Sequence, residues 1–283
     1  MTPISFDQSS HPVQRRRVLQ MLGGAGLLAL AGCASSGNGG DTAVTTGDAT
    51  ATGAGDATTA ATSAGGASTA AAATAVGVIP EETGGPFPAD GSNGVDVLGE
   101  SGVVRSDIRS SFGSLSGVAE GVPTTISFTV VAAAAGTPLA GAAVYAWHCD
   151  REGRYSLYSD GVTDQNYLRG VQATDANGVA TFTSIYPACY SGRWPHVHFE
   201  VYPSVDEATA AGTKLATSQI ALPEEVSTQV YATPGYEASV SNVQQVSLET
   251  DNVFSDGSEL ETPTVTGSVD EGFAVALTVG VNA

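Results

Sequence analysis

Two histidines spaced two residues apart, His196 and His198, are the side chains of this chain best placed to hold a metal ion. On an extended strand, residues i and i+2 leave from the same face, so both imidazoles point to one place while Val197 and Phe199 turn toward a core. Alone, two neutral imidazoles suit zinc, copper or iron. Read together with Tyr155 and Tyr190, which stand ahead of them, they form a set of two imidazoles and two phenols. Phenolates are hard, anionic oxygen donors and favour a highly charged ion, so the set points to non-haem Fe(III). Tyr158 and Tyr186 lie within a few residues of the other two tyrosines and compete for the phenolate roles.

Glu200 continues the alternation onto the same strand face, which makes a two-histidine, one-carboxylate Fe(II) site the chief chemical rival. Such sites usually space the carboxylate further along, so a supporting or solvated Glu200 fits better. A zinc hydrolase built on His196 and His198 lacks an obvious third histidine or general base. His148, between Trp147 and Cys149, reads as a packed or hydrogen-bonded residue.

The elements that must position these groups read as strands. Runs rich in β-branched and aromatic residues, bounded by Gly, Pro, Asn and Asp, predict strands over 124–132, 142–148, 178–184, 196–202, 217–221 and 274–279. Asp175-Ala176-Asn177-Gly178 predicts a tight hairpin turn. Short helices are expected only near 204–211 and 223–230. Short strands with regular turn signals give an all-β fold, a β-sandwich of mixed or antiparallel sheets with the metal site on strand ends and loops. Residues 76–283 form one domain in this reading, including the turn-rich stretch 251–257 and the last strand, which could not stand alone.

Ahead of that domain the composition changes. Arg15-Arg16-Arg17, the apolar run 18–31 and Cys33 read as an export signal over 1–32. Leu30-Ala31-Gly32-Cys33 resembles a bacterial lipobox, which implies a lipidated Cys33 attaching the protein to the cell envelope on its periplasmic or extracellular side. The adjacent arginines resemble a twin-arginine signal, and an uncleaved anchor is the alternative. Residues 33–75, almost wholly Ala, Thr, Gly, Ser and Asp through 74, bury too little apolar surface to fold and read as a flexible tether. Cys149 and Cys189 then remain, and an oxidising compartment suggests a disulfide between them, with two free buried thiols as the other outcome. The chain has 10 basic and 29 acidic residues; without residues 1–32, which hold three arginines and one aspartate, the balance is 7 to 28. So acidic a surface repels phosphate backbones, which excludes nucleic acid as a partner.

The motifs carry a resemblance. Trp147-His148-Cys149-Asp150-Arg151-Glu152-Gly153-Arg154-Tyr155, Leu168-Arg169-Gly170-Val171-Gln172, and the run from Ile185-Tyr186-Pro187-Ala188-Cys189-Tyr190-Ser191-Gly192-Arg193 into Trp194-Pro195-His196-Val197-His198-Phe199 resemble the intradiol ring-cleavage dioxygenases, and most closely their exported branch. Pro80-Glu81-Glu82-Thr83-Gly84-Gly85-Pro86-Phe87 and Val104-Arg105-Ser106-Asp107-Ile108-Arg109 resemble the family's leading segment. The likeness runs from about residue 78 to at least 221, in the family's order.

The resemblance implies Tyr155, Tyr190, His196 and His198 as ligands of Fe(III), with Tyr190 and His196 axial, and Tyr155 and His198 equatorial. Tyr190, not Tyr186, directly precedes Ser191-Gly192-Arg193 as the family motif requires. It also implies Arg193 as the arginine that stabilises charge on the ring, Tyr190 as a base, and Gln219 as a pocket residue, although 204–214 looks like a local insertion. The implied reaction opens a catechol-type ring with O2 to a muconate-type dicarboxylate. A non-catalytic sandwich binding aromatics or cell-wall sugars is the alternative, because a fold alone does not fix a function.

Overall fold

The computed structural model describes residues 74–283. The expected export signal, Cys33 and nearly all of the expected tether lie outside the described residues. Among the described residues, no helix is long and apolar enough to cross a membrane.

Among the described residues, nine strands form two sheets. One contains β1 (Pro123–Ala132), β2 (Thr137–Pro138), β5 (Val179–Ile185), β8 (Thr264–Ser268) and β9 (Gly272–Val281). In it β1 pairs in parallel with β9 and antiparallel with β5 and β2, so the sheet is mixed. The other sheet runs in the order β4 (Arg169–Ala173), β3 (Ala143–Trp147), β6 (His196–Tyr202), β7 (Ala216–Ala221), all antiparallel. The expected all-β sandwich is present.

Period-two alternation decides which side chains fill the space between the sheets. From β6 these are Val197, Phe199 and Val201, which join Val144 and Ala146 of β3, Ile126, Phe128 and Val130 of β1, and Val275, Leu277 and Val279 of β9 in one buried cluster. The Phe128 and Phe199 rings meet at 4.9 Å, and each buried phenylalanine contributes about 1.5–3 kcal/mol through lost apolar exposure. The other face of the small sheet is not open to water. A second cluster covers it, in which Tyr145 and Trp147 of β3 and Tyr202 of β6 pack against Val97, Leu98, Val103 and Phe112 of the long segment before β1. That covering layer buries both faces of β6 and encloses His196 and His198.

The Asp175–Gly178 turn forms as expected. Asp175 Oδ1 accepts the Asn177 and Val179 amides at 2.8 and 2.9 Å, and Gly178 takes the positive φ, 76°, that the turn needs. It is not a hairpin, because its flanking strands β4 and β5 lie in different sheets and the turn carries the chain across the sandwich. The predicted helices are α1 (Val205–Thr209), capped by Ser204 Oγ accepting the Glu207 amide, and α2 (Glu224–Tyr231). A third, α3 (Glu237–Val243), had no periodic signal.

Candidate metal centre

Tyr155 is presented by a tight turn after β3. Asp150 Oδ1 accepts the amides of Glu152 and Arg154, and its Oδ2 accepts Arg154 Nε at 2.9 Å and the Tyr167 hydroxyl at 3.0 Å. Gly153, at φ 84°, passes so close to Tyr190 that an added Cβ would stand 3.2 Å from Tyr190 Cβ. The Tyr190 loop is held from α3 and its C-cap side: Ser239 Oγ accepts the Cys189 amide at 3.0 Å, and Asn242 Nδ2 donates to Cys189 O at 2.8 Å.

These elements bring four donor atoms together. Tyr155 Oη, Tyr190 Oη and His198 Nε2 each stand 3.2 Å from His196 Nε2. Ligands bound at about 2.0–2.1 Å to one ion, at near-right angles, stand about 3 Å apart, so the cluster has the span of a ligand set. His196 Nδ1 donates to Trp194 O at 2.5 Å, which leaves the Nε2 lone pair facing the phenols, as a metal-binding tautomer requires. The chemistry and spacing of the donors therefore fit Fe(III). Among the described residues, no group of three or more His, Cys, Asp or Glu is arranged to hold a metal; this set depends on its phenols.

Electrostatics separate the four. Burial, followed by the Arg193 charge, lowers the His196 pKa to about 3, and burial, followed by His196, takes His198 well below its usual value. Both rings are neutral at pH 7 and ready to donate. Burial raises both phenols. Tyr155, fully buried and next to Tyr190, goes well above the usual tyrosine value, while Tyr190 reaches about 12 because Tyr155 and the Arg193 guanidinium pull it back. Only a strong positive charge at the centre would make both phenolates at neutral pH.

The rival donors are engaged elsewhere. Tyr158 accepts the Ala89 amide at 2.9 Å and donates to Asn93 Oδ1 at 2.9 Å. The Tyr186 hydroxyl pairs with Ser227 Oγ at 2.8 Å. Glu200 shares the histidine face as expected, but Lys214 Nζ donates to its Oε1 at 2.7 Å and Tyr202 to its Oε2 at 2.6 Å. His148, buried as expected, lies 2.7 Å from Ser184 Oγ.

Arg193 and Gln219 meet at this centre. Gln219 faces His198 across the β6–β7 pairing, accepts Arg193 Nη2 through Oε1 at 2.7 Å, and donates through Nε2 to Thr83 O at 2.8 Å. Cys149 and Cys189 are free thiols, not the suggested disulfide. Each is directed to a different backbone oxygen, Cys149 Sγ to Ala188 O and Cys189 Sγ to Arg193 O, and their environment is a packed core.

Sequence reasoning gave no role to three further residues here. Phe87 packs on both Tyr155 and Tyr158, with centroids 4.9 and 5.1 Å away, and Trp147 stacks on His198. Asp251 binds Arg193 Nε at 2.9 Å. The first two stood in quoted motifs, but Asp251 had no signal beyond lying in a turn.

Part of the chain is similar to known dioxygenases. Residues 114–231, which contain all four donors, Arg193 and Gln219, match a family described as Dioxygenase. A stretch of 55 residues is 40% identical to chlorocatechol 1,2-dioxygenase from Rhodococcus opacus, covering 19% of this chain and 21% of that protein's length. In structure the chain is similar to an intradiol ring-cleavage dioxygenase from Tetranychus urticae, with a TM-score of 0.57 and 24% identity over 73% of this chain and 95% of that one. A second dioxygenase structure gives 0.59 at 23% identity, again over 73% and 95%. At those identities the structures establish a shared fold. The likeness to dioxygenases thus rests on the matched segment 114–231 and on a fold shared with intradiol ring-cleavage dioxygenase structures.

Proposed function

We propose that this protein is a non-haem Fe(III) dioxygenase that opens a catechol-type ring between its two hydroxyl-bearing carbons, taking up O2 and releasing a muconate-type dicarboxylate. The observation that carries the reading is the convergence of two phenol oxygens and His198 Nε2 around His196 Nε2, each at 3.2 Å. Tyr155, Tyr190, His196 and His198 would hold the ion, and Fe(III) there would withdraw electron density from a catecholate and make a ring carbon reactive toward dioxygen.

The protein's own groups divide the remaining work. Tyr190 is only partly buried and lies beside the Arg193 charge, so once ionised by the bound ion its Oη would be the base that accepts a substrate proton. Tyr155 is 1% exposed and packed under Phe87, so it stays in place and excludes water. Arg193, held by Gln219, offers its guanidinium to the negative charge that develops on the ring. An exported, Cys33-anchored protein would do this outside the cytoplasm; Cys33→Ala should move it from the membrane to the soluble fraction.

The test is iron analysis, a visible spectrum, and oxygen uptake with catechol, protocatechuate and hydroxyquinol. Stoichiometric iron, a red to burgundy colour from tyrosinate-to-iron charge transfer, and uptake with at least one substrate are expected. Colourless iron-loaded protein removes the two phenolates, and coloured protein inert toward all three substrates favours a binding module.

A further inference from the structure

Arg193 is held from two sides, and one of them belongs to a part of the chain outside the matched segment 114–231. Its Nη2 donates to Gln219, while its Nε donates to Asp251 Oδ2 at 2.9 Å. The same Oδ2 accepts the Trp194 amide at 2.7 Å, and Oδ1 accepts the amides of Val253 and Phe254 at 2.8 and 3.2 Å. The Asp251 side chain is 0% exposed, the Arg193 side chain 13%. A carboxylate with four donors around it cannot turn without breaking several charge-assisted bonds.

We infer that Asp251 is the positioning residue for the Arg193 guanidinium, so that the loop 250–256 completes the active site. The guanidinium is a planar fork with donors on two edges. Fixing the Nε edge on Asp251 leaves the Nη edge toward Gln219 and near Tyr190, where charge on the substrate ring would develop. The Phe254 ring, 5.9 Å from the guanidinium carbon, borders it from the same loop. Without Asp251 the long side chain regains its rotamers, and a preorganised donor becomes one that must be ordered during the reaction.

The inference rests on the proposed function, and its test has one arm that does not. In the metal-free protein, the Arg193 Nε proton, assigned by its disappearance in Arg193→Lys, should exchange slowly with water, and Asp251→Asn should speed that exchange roughly tenfold or more as the charge-assisted bond is lost. In the Fe(III)-loaded protein with catechol, Asp251→Asn should keep the charge-transfer band, leave KM nearly unchanged and lower kcat roughly tenfold, less than the 10²–10³-fold of deleting such a donor. In an Arg193→Ala background it should add no further loss. Exchange and kcat at wild-type values, or a further tenfold loss in that background, would overturn the inference. If Asp251→Asn does not fold, Asp251→Glu, which shifts the charge by one methylene, is read in the same way; failure of both to fold makes Asp251 a folding residue and overturns it too. A wild type that neither colours with iron nor consumes oxygen refutes the proposed function, whereas the exchange arm still decides whether Asp251 fixes Arg193.

Discussion

The indole of Trp147 lies flat on the imidazole of His198, with centroids 4.9 Å apart and planes 3° from parallel. The two face each other in the β3–β6 pairing. His196 is oriented by the bond from its Nδ1 to Trp194 O, but His198 Nδ1 is buried with no hydrogen-bond partner. The two histidines are thus aimed by different forces, one by a hydrogen bond and the other by stacking.

Trp147→Ala should therefore loosen His198 and lower iron affinity by roughly 10–100-fold, the usual range for losing a partner that orients a ligand. Trp147→Phe, which keeps a ring on the imidazole, should lose much less. Competition against a chelator at fixed pH measures both, and equal affinity in wild type and Trp147→Ala would show that strand pairing alone aims His198.

The two tyrosines should respond differently to losing their hydroxyls. Tyr155 is buried and packed against Phe87, whereas Tyr190 is partly exposed on its loop. Tyr155→Phe is expected to strip most of the iron. Tyr190→Phe is expected to keep iron, shift the visible band and reduce kcat roughly 10²-fold or more, as for removal of a general base. Metal content and spectra of the two purified variants check this, and identical iron loss in both would erase the distinction.

How far the site could be read from sequence depended on whether its parts were local. His196 and His198 were legible because strand alternation alone puts them on one face, and the same rule sent Val197 and Phe199 into the core. Tyr155 and Tyr190 were legible through motif order, since no local rule brings two loops 35 residues apart to one imidazole. Asp175 to Gly178 showed a turn but not that β4 and β5 part company there, because turn chemistry is local and sheet membership is not. Even cysteine count and an oxidising compartment suggested a disulfide, yet two thiols pair only if the fold orients them toward each other. Asp251 lies 58 residues from Arg193, and only the folded chain joins them.

Lys214, between α1 and β7, ties two buried carboxylates together. Its Nζ donates to Asp90 Oδ2 at 2.5 Å and Glu200 Oε1 at 2.7 Å, and those side chains are only 2% and 1% exposed. Burial works against the Asp90 charge, but bonds from Lys214 and Ser92 hold its pKa down at about 2. Lys214→Met leaves two buried carboxylates without their cation and should cost about 3 kcal/mol, the low end for a broken buried pair, because Lys214 itself is partly exposed. A loss of that size lowers Tm by roughly 6–12 °C in a domain of this length. Adding Glu200→Gln should recover part of the loss; a wild-type Tm in Lys214→Met would show the pair to be a solvated surface contact.

Glu261 makes stability depend on pH in the opposite sense to Asp90. Its side chain is buried, Oε1 accepts Ser218 Oγ at 3.2 Å, and Oε2 has no partner. Burial, followed by repulsion from Glu82, raises its pKa from 4.5 to about 8. A raised value means that the native state holds the proton after the unfolded chain has released it. The stability of the neutral acid is fully present below about pH 4.5 and is lost as pH rises through about 8, at no more than about 1.4 kcal/mol per pH unit. Glu261→Gln is neutral at every pH and should remove that slope. The wild-type Tm relative to the variant should then fall steadily from about pH 5 to about pH 8 and level off on both sides. Parallel melting curves across that range would mean that Glu261 is ionised in the native protein and that water or a neighbour stabilises its charge.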